Sequence, residues 1–338
     1  MICEQSIFRY EVFNFYYSFL MISFVLEWEN AILSELDRTR ELLVQIFLQT
    51  AKRPEQFELL VLYNENQVSG SFISTFIEEV ITTESLESYF PYTIHDVQNA
   101  HYFQLKNKGA QLAQGEKVIF LDSDIIPQES WLELILEAHQ QHPDSIVSGC
   151  SYIDHSDLLG KAFALSWFFP LPPVASKLVE VDLIFSNNYI ISKQLMLENP
   201  YPEMSMGVTR GADNLLWKRL RSKGIRLWCH SGARATHPSP NGWNHFFKRA
   251  LAEGRDDYRK MFEKEFFEKN PFIQFSKIYL HRWRKVFRSA FRNGYRVGLK
   301  FYEIPLICGL MTVYYQFYFL GGLVTKVLPK YSQEAWRI

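Results

Sequence analysis

Two aspartates, one residue apart, follow an apolar run in the middle of the chain. The run Val118–Leu121 is too short for a helix and rich in strand-forming residues, so it predicts a buried strand. Asp122 and Asp124 come directly after it. Carboxylates this close repel each other, and burial makes both charges costly. A divalent cation with oxygen ligands relieves both costs, so the pair predicts a metal site; a solvated Asp-Ser-Asp turn is the alternative.

Three further polar residues have positions that suit a site. Asp213 stands just before a predicted helix, where the helix N-terminus favours a carboxylate; a simple N-cap is the alternative. His237 precedes a proline late in the chain and is either a metal ligand or a surface histidine. Asn188 is one of two adjacent asparagines inside a predicted strand, where asparagine has poor propensity, so a polar task there is expected.

The elements around these residues alternate between strand and helix, which predicts an open, mostly parallel α/β sheet. Ligands bind at the carboxyl ends of the strands in such sheets. The predicted strands are 22–26, 57–63, 92–94, 118–121, 146–150, 183–192 and 225–229. The predicted helices are 31–50, 72–81, 102–114, 131–139 and 214–221. Periodicity is poor over 151–180, where an apolar, proline-broken run (167–173) suits core packing, a lid or a membrane contact.

Composition excludes some classes of protein. The chain has 338 residues, 47% of them hydrophobic, and a net charge of −1, so nothing in the overall charge favours a nucleic-acid partner. The four cysteines are scattered, which predicts neither a zinc site nor a disulfide framework and fits a reducing compartment. No standard signal peptide is expected, because Glu4 and Glu11 precede the first apolar run and no small-residue cleavage site follows it.

In their order and spacing, these segments resemble a GT-A fold glycosyltransferase of family 2. The resemblance runs from about Ile22 to Pro240, and its most specific part is KNKGAQLAQGEKVIFLDSD, an Asn-x-Gly helix leading into the DxD strand. SFVLEWEN fits the first strand and turn, GADNLLWKRLRSKG the segment with the catalytic acid, and ATHP a late histidine. The resemblance implies a Rossmann-like, mostly parallel sheet flanked by helices.

The family implies a nucleotide-sugar donor of the UDP- or GDP-sugar type and a Mg²⁺ or Mn²⁺ ion. The ion would be held by Asp124 and His237, with Asp122 bound to it or to the ribose. Asp213 would be the general base of an inverting transfer. The family usually has an acidic pair there, and Ala212 replaces its first member.

The nucleotide end departs further from the family, because Tyr63 and Asn64 occupy the usual acidic position after the second strand. The expected donor contacts are Glu27, Glu65, Asp96, Lys106, Asn107, Asp122, Ser123 and Asn188.

The C-terminal part predicts a membrane contact. Eight Lys and Arg residues and no acid fall between Asn270 and Tyr302. An aromatic and a basic stripe recur there at helical spacing, which suits an interfacial helix or a basic helix docked on the catalytic domain. The uncharged run 304–325 is near the length of a membrane span and also suits a buried hairpin. We expect association with the inner or plasma membrane through 277–325, peripherally or by a single span, with the basic flank cytoplasmic.

The predicted organisation is a glycosyltransferase domain over 1–265, with a nucleotide-sugar half (about 17–125) and an acceptor half (about 126–265), and a membrane-associated tail over 266–338. The acceptor would be a glycan or a lipid-linked saccharide, as in polysaccharide biosynthesis, and oligomers are possible. A non-catalytic binding or assembly protein of the same fold is the alternative. A DxD phosphatase is disfavoured because the motif lies mid-chain and no later acidic metal motif follows.

Overall fold

The computed structural model describes residues 21–33, 36–86, 90–203, 211–262 and 270–336, and their strands form one sheet. The strands are β1 Met21–Glu27, β2 Gln56–Tyr63, β3 Tyr92–Asp96, β4 Lys117–Asp122, β5 Ile126–Pro127, β6 Ile146–Ile153, β7 Leu178–Glu180, β8 Asn188–Ser192 and β9 Leu227–His237. Their order across the sheet is β3-β2-β1-β4-β8-β6-β9-β5, and β7 also pairs with β9.

Helices connect the strands and continue beyond them. In the first half they are α1 Glu29–Leu33, α2 Leu36–Thr50, α3 Gly70–Thr83, α4 Tyr102–Leu112, α5 Trp131–Gln141 and α6 Leu158–Ser166. In the second half they are α7 Lys193–Glu198, α8 Ala212–Ser222, α9 Gly242–Lys260, α10 Pro271–Asn293, α11 Ile304–Val327 and α12 Pro329–Ala335. Two 3₁₀ turns, Gly294–Val297 and Phe301–Glu303, join α10 to α11.

The sheet is parallel through β3, β2, β1 and β4, and β8 then enters antiparallel between β4 and β6. Strands buried on both faces need helices on both faces. One core contains side chains of α2, α3 and α5, and the other contains side chains of α4, α7 and α8. The predicted mostly parallel sheet flanked by helices is therefore confirmed.

The pairing register brings the chemically important strand ends to one edge of the sheet. In the parallel ladder of β1 and β4, Glu27 lies opposite Asp122. The parallel ladder of β6 and β9 ends with Ile153 opposite His237. The short strand β5, just after the two aspartates, pairs antiparallel with β9. These pairings bring the ends of β4 and β9 together although they are far apart in the sequence.

A third core lies between helices of the acceptor half and of the tail. It joins side chains of α6, α9, α10 and α11, among them Phe163, Phe246 and the buried Tyr314 and Tyr318. The helical segment Phe301–Val327 is long and apolar enough to cross a bilayer, with a mean hydropathy of 1.4, and 44% of its most apolar window is buried in the protein. The domain boundary near residue 265 stays a prediction, and helices from both sides of it share this core.

Some elements differ from the sequence prediction. The predicted strand 183–192 is shorter, because the backbone before β8 turns toward the site: Ser186 O accepts from Lys106 Nζ and Asn187 O accepts from the Asp122 amide. Helix α6 shows no alternation of polar and apolar residues at helical spacing, because most of it is buried. Helix α9 is missing from the sequence prediction, because several of its charged residues are buried and its apolar spacing is therefore irregular. Strand β9 runs farther than predicted. The N-terminal apolar run lies outside the described residues as far as residue 20.

Candidate active site

Asp122, Asp124 and His237 form a cluster at the shared edge of β4 and β9. One ligand atom from each residue lies within 4.8 Å of the others. Both aspartates are buried and the histidine is half-buried. The cluster lines a cleft of about 1090 Å³ whose wall also contains Asp213 and Trp167.

The buried Asp124 carboxylate has an oxygen without a hydrogen-bond donor among the described residues. Its Oδ1 atom is buried without a hydrogen-bond partner in the described part of the chain, and Oδ2 lies 3.8 Å from His237 Nε2. Burial raises the pKa of Asp124, the His237 charge acts against this, and the Asp122 charge adds to it. A buried carboxylate with an unused oxygen fits a bound cation better than it fits a solvated turn.

The His237 side chain is oriented as a metal ligand would be. Its Nδ1 atom lies 2.8 Å from the Pro238 carbonyl oxygen, so Nδ1–H donates there, and Nε2, 3.8 Å from Asp124 Oδ2, is the ring nitrogen that a metal ion could use once it is deprotonated. A backbone partner on one ring nitrogen is the usual way to fix the tautomer of a ligating histidine. The Phe169 ring packs 4.8 Å from the imidazole and restricts its rotation. Two carboxylates and one imidazole suit Mn²⁺ or a similar divalent ion.

Asp122 is held by two donors at one oxygen. Lys106 Nζ and Tyr102 Oη each lie 2.6 Å from Oδ1. The Lys106 side chain is fully buried and also donates to Ser186 O at 2.5 Å. Neither donor bonds to Oδ2. Lys106 is therefore an ion-pair partner of Asp122 in this structure, whereas the sequence predicted a contact with the donor.

Asp213 lies in the first turn of α8 and lines the same cleft as the cluster. Gly211 precedes the helix with φ of +95°, a conformation that glycine adopts without strain. Burial raises the pKa of Asp213, while the Asn214 amide, which donates to Oδ1 at 2.8 Å, and the Lys260 charge act against the shift. A half-buried carboxylate with a raised pKa, in the same cleft as a candidate metal site, has the properties of a general base.

Three predicted nucleotide contacts lie outside the cleft lining. Glu27 is fully buried, and its carboxylate accepts from the amide and side chain of Asn30 at 3.2 and 2.9 Å. Burial, helped by the Asp122 charge, raises the pKa of Glu27 well above its usual value. Glu65 accepts from the Gly70 amide, and Asp96 accepts from the Glu65 amide. These acids cap backbone turns at the strand ends.

Two asparagines predicted as donor contacts bond to other parts of the protein in this structure. The Asn107 side chain both accepts from the Tyr201 amide (2.9 Å) and donates to its carbonyl oxygen (3.0 Å). Asn188 is fully buried and accepts from Trp131 Nε1 at 2.8 Å. Of the two adjacent asparagines, Asn187 lines the cleft. Ser123 is also fully buried, and its Oγ has no partner in the described residues.

Arg38 is a site residue that the sequence did not reveal. Its guanidinium donates to the carbonyl oxygens of Asp124 and Thr236, at 2.9 and 3.0 Å, and forms an ion pair with Asp154 at 3.2 Å. It therefore ties the loop after β4 to the end of β9, and so holds Asp124 and His237 of the cluster near each other. An isolated arginine on an amphipathic helix gives no sequence signal of this role.

An aromatic wall of Trp167, Phe168, Phe169 and Phe185 also lines the cleft. Trp167 packs edge-on to the His237 imidazole, with 6.2 Å between ring centroids. The sequence left the role of the run 167–173 open between core packing, a lid and a membrane contact. In the structure, Trp167 of this run lies against His237 of the cluster.

Comparison with known proteins agrees with this geometry. Residues 81–183, which include β3, α4 and β4 with both aspartates, match the model of glycosyl transferase family 2. The resemblance to family 2 glycosyltransferases is confirmed. No sequence among curated proteins matches the chain.

Among solved structures, the chain is similar to the mannosyltransferase PcManGT from Pyrobaculum calidifontis in complex with GDP-Man and Mn²⁺. The identity is 13%, the alignment covers 91% of this chain and 87% of that one, and the TM-score is 0.52. GalNAc-T7 with UDP, GalNAc and Mn²⁺ aligns over 77% of this chain and 55% of its own, with 12% identity and a TM-score of 0.49. S. aureus TarS with UDP-GlcNAc aligns over 91% and 92%, with 13% identity and a TM-score of 0.45. The family 2 match and the PcManGT alignment assign the GT-A fold to this chain.

Proposed function

We propose that this protein is a metal-dependent, inverting glycosyltransferase of the hexosyltransferase type. It moves a sugar from a nucleotide-sugar donor to a glycan or a lipid-linked saccharide at the cytoplasmic face of a membrane. The observation that carries the proposal is the cluster of Asp122, Asp124 and His237 in one cleft with Asp213. Candidate metal ligands and a candidate carboxylate base in the same cleft suit transfer from a diphosphate leaving group.

The proposed roles follow from this arrangement. Asp124 and His237, with Asp122, would hold Mn²⁺ or Mg²⁺, which supplies charge neutralisation to the donor diphosphate. Asp213 accepts the proton of the acceptor hydroxyl while that oxygen attacks the anomeric carbon. A single displacement of this kind inverts the anomeric configuration. PcManGT, which shares the fold, is described with GDP-Man and Mn²⁺, and this supports a donor of the GDP- or UDP-sugar type.

A panel of GDP- and UDP-sugars with Mn²⁺ tests the proposal, read by thermal shift and by released nucleotide. A bound donor stabilises the folded state by mass action. Donors with one of the two nucleotide bases should therefore raise Tm, and their nucleotide should be released when acceptor is added. Asp213→Asn should lower turnover by a factor of about 10² to 10⁴ and keep the donor-induced rise in Tm. Unchanged turnover in this variant would exclude Asp213 as the base.

The alternative is a non-catalytic binding or assembly protein of the same fold. It is favoured by one observation, namely that Glu27, Glu65 and Asp96 do not line the cleft, which leaves the base-recognition side without its expected acids. Under this alternative a donor would raise Tm without any nucleotide release, in the parent and in Asp213→Asn alike. Asp144→Asn, at an exposed aspartate that does not line the cleft, is the matched control.

A further inference from the structure

The turn between α10 and α11 exposes a group of large apolar side chains, which we call the tip. Its members are Phe291, Tyr295, Phe301, Tyr302 and Leu306, with exposed fractions of 65%, 80%, 83%, 67% and 58%. Large apolar side chains exposed together commonly mark a docking site. The tip is separate from the cleft, since none of its members lines it.

The predicted aromatic stripe of α10 divides into two parts in the structure. Its first half docks on the protein: Trp283 Nε1 donates to Thr312 Oγ1 at 3.2 Å, and Phe287 packs against the third core. Its second half, Phe291 and Tyr295, is exposed and joins the residues of the turn. Single aliphatic side chains such as Leu280, Val313 and Leu320 are also exposed farther along the hairpin, but within the described residues its exposed aromatic rings all lie at this end.

The charge around the tip is mostly positive. Arg284, Arg288, Arg292 and Lys300 are exposed, and no acid occurs between residues 271 and 302. The nearby Glu303 carboxylate is occupied by Lys161, at 3.1 Å, and by the Lys300 amide, at 2.8 Å. Aromatic side chains surrounded by cations match the boundary of a bilayer, where rings enter the headgroup region and cations face anionic lipids.

The tip also adjoins the acceptor side of the cleft. Arg296 donates to Pro172 O at 2.9 Å, and Lys285 Nζ donates to Trp167 O at 2.6 Å. Helix α10 and the 3₁₀ turn after it therefore carry tip residues and bond to both ends of the segment 167–172, which supplies three of the four rings of the aromatic wall. A surface bound through the tip would lie next to that wall.

We propose that the tip docks this protein on an anionic lipid bilayer, with its aromatic side chains inserted among the headgroups and its arginines on the lipid phosphates. This deepens the proposed function by naming the surface that contacts the membrane. It rests on the proposed function only where it relates this surface to the acceptor side of the cleft. Lipid binding itself needs no turnover.

Cosedimentation of the full chain with vesicles tests the proposal. The chain should sediment with vesicles of phosphatidylcholine and phosphatidylglycerol, bind pure phosphatidylcholine far less, and be released by salt. Phe301→Ser with Tyr302→Ser should abolish binding. Arg288→Gln with Arg292→Gln should weaken it roughly tenfold or more, since each cation near such a surface contributes roughly a fivefold factor.

The matched controls are exposed residues elsewhere on the protein. Phe72→Ser, at a ring with an exposed fraction of 44%, and Lys52→Gln with Lys108→Gln should bind vesicles like the parent. Parent-like binding by the tip variants, or no binding by the parent, would overturn the proposal. A tip variant that changes the elution volume on a sizing column without any vesicle effect would instead assign the tip to self-association.

A vesicle-free assay separates this proposal from the proposed function. With a water-soluble acceptor, the tip variants should release nucleotide at the parent rate. If the parent binds vesicles and releases no nucleotide with any donor, the tip proposal stands and the catalytic one fails.

Discussion

Lys106 is a fully buried cation, and its ammonium group has two oxygen partners, Asp122 Oδ1 and Ser186 O. Its ring neighbour Tyr102, whose centroid lies 4.4 Å from Nζ, adds a cation–π contact. A buried charge keeps its position only while it is compensated. Lys106 therefore fixes which Asp122 oxygen faces the site.

Lys106→Met should destabilise the protein by about 3–5 kcal/mol, because the Asp122 carboxylate is left buried without its cation. Urea unfolding measures the change. Adding Asp122→Asn to the same chain should cost less than the sum of the single changes. Lys108→Met, at an exposed lysine on the same helix, should change stability little. Additive effects would mean that the two groups do not act as a pair.

Asp124→Asn should separate metal binding from stability. Because burial raises the pKa of Asp124, the metal-free folded state binds more protons than the unfolded state between the unfolded and folded pKa values. The contribution of this group to stability therefore falls as pH rises through that window and stays low above it. Metal-free Asp124→Asn should match or exceed the parent Tm at pH about 8, and the difference should shrink on acidification.

Mn²⁺ completes this test. The ion should raise the Tm of the parent and leave that of Asp124→Asn unchanged, because binding to the folded state alone stabilises it. Asp144→Asn serves as the control and should respond like the parent. A Mn²⁺ shift that survives in Asp124→Asn would remove this carboxylate from the metal site.

At this scale the structure brings the three predicted metal ligands together, whereas the predicted donor contacts stay predictions. Asp122, Asp124 and His237 each follow or end a strand at one sheet edge, and that edge is where parallel topology brings side chains together. Glu27 and Asp96 satisfy the same rule, yet Glu27 accepts from an amide of its own turn and Asp96 accepts from the Glu65 amide in the turn after the neighbouring strand β2. Sequence position alone does not distinguish a capping carboxylate from one directed into a cleft.

Among the elements, the apolar helix α11 packs closely on its neighbours over only part of its surface. Its Gly321 packs against the backbone of α9 so closely that an added Cβ would clash with Leu251 O. Gly322 faces the Phe275 ring of α10 in the same way. Gly309, on the same helix, has no atom within 4 Å of such a Cβ. Only part of the helix therefore depends on the absence of side chains.

Gly321→Ala should destabilise the protein by about 1–3 kcal/mol, because the added methyl group forces α9 and α11 apart. Gly309→Ala should instead stabilise it by about 0.5–1 kcal/mol, because alanine is the better helix former and the space is open. Thermal unfolding of the two variants side by side measures both. Equal effects at the two positions would contradict the packing described for α11.

The strands were easier to predict than the helices of the second half. A buried parallel strand is a short continuous apolar run, and β1, β2 and β4 are such runs. Helix α9 has a different pattern, because its Glu253 and Arg255 are buried and partnered by other helices. Charges that normally mark a solvent face there mark a helix interface, so the period of the core side is lost.

In the whole molecule, helices of the acceptor half and of the tail share the third core. Glu253 of α9 accepts from Trp167 Nε1 at 3.2 Å and from Tyr314 Oη at 2.7 Å, and it forms an ion pair with Arg282. The cleft wall is therefore bonded, through one buried carboxylate, to both long tail helices. Sequence patterns placed a boundary near residue 265 because charge and hydrophobicity change there.

A chain cut after residue 265 should aggregate or fail to give soluble protein, because the cut uncovers Phe163, Phe246 and Trp167. The full chain should unfold in one cooperative transition by calorimetry, with equal calorimetric and van't Hoff enthalpies. A soluble, cooperatively unfolding 1–265 chain would establish the boundary as a true domain boundary.

The assembly of the metal cluster from two distant strands has a consequence for folding kinetics. Asp124 follows β4, whereas His237 ends β9, which joins the sheet by parallel pairing with β6. Closing so long a loop is entropically costly and slow. An ion held by Asp124 and His237 together would bind only after β9 has joined the sheet, so the gain of Mn²⁺ affinity after dilution from denaturant should report that pairing.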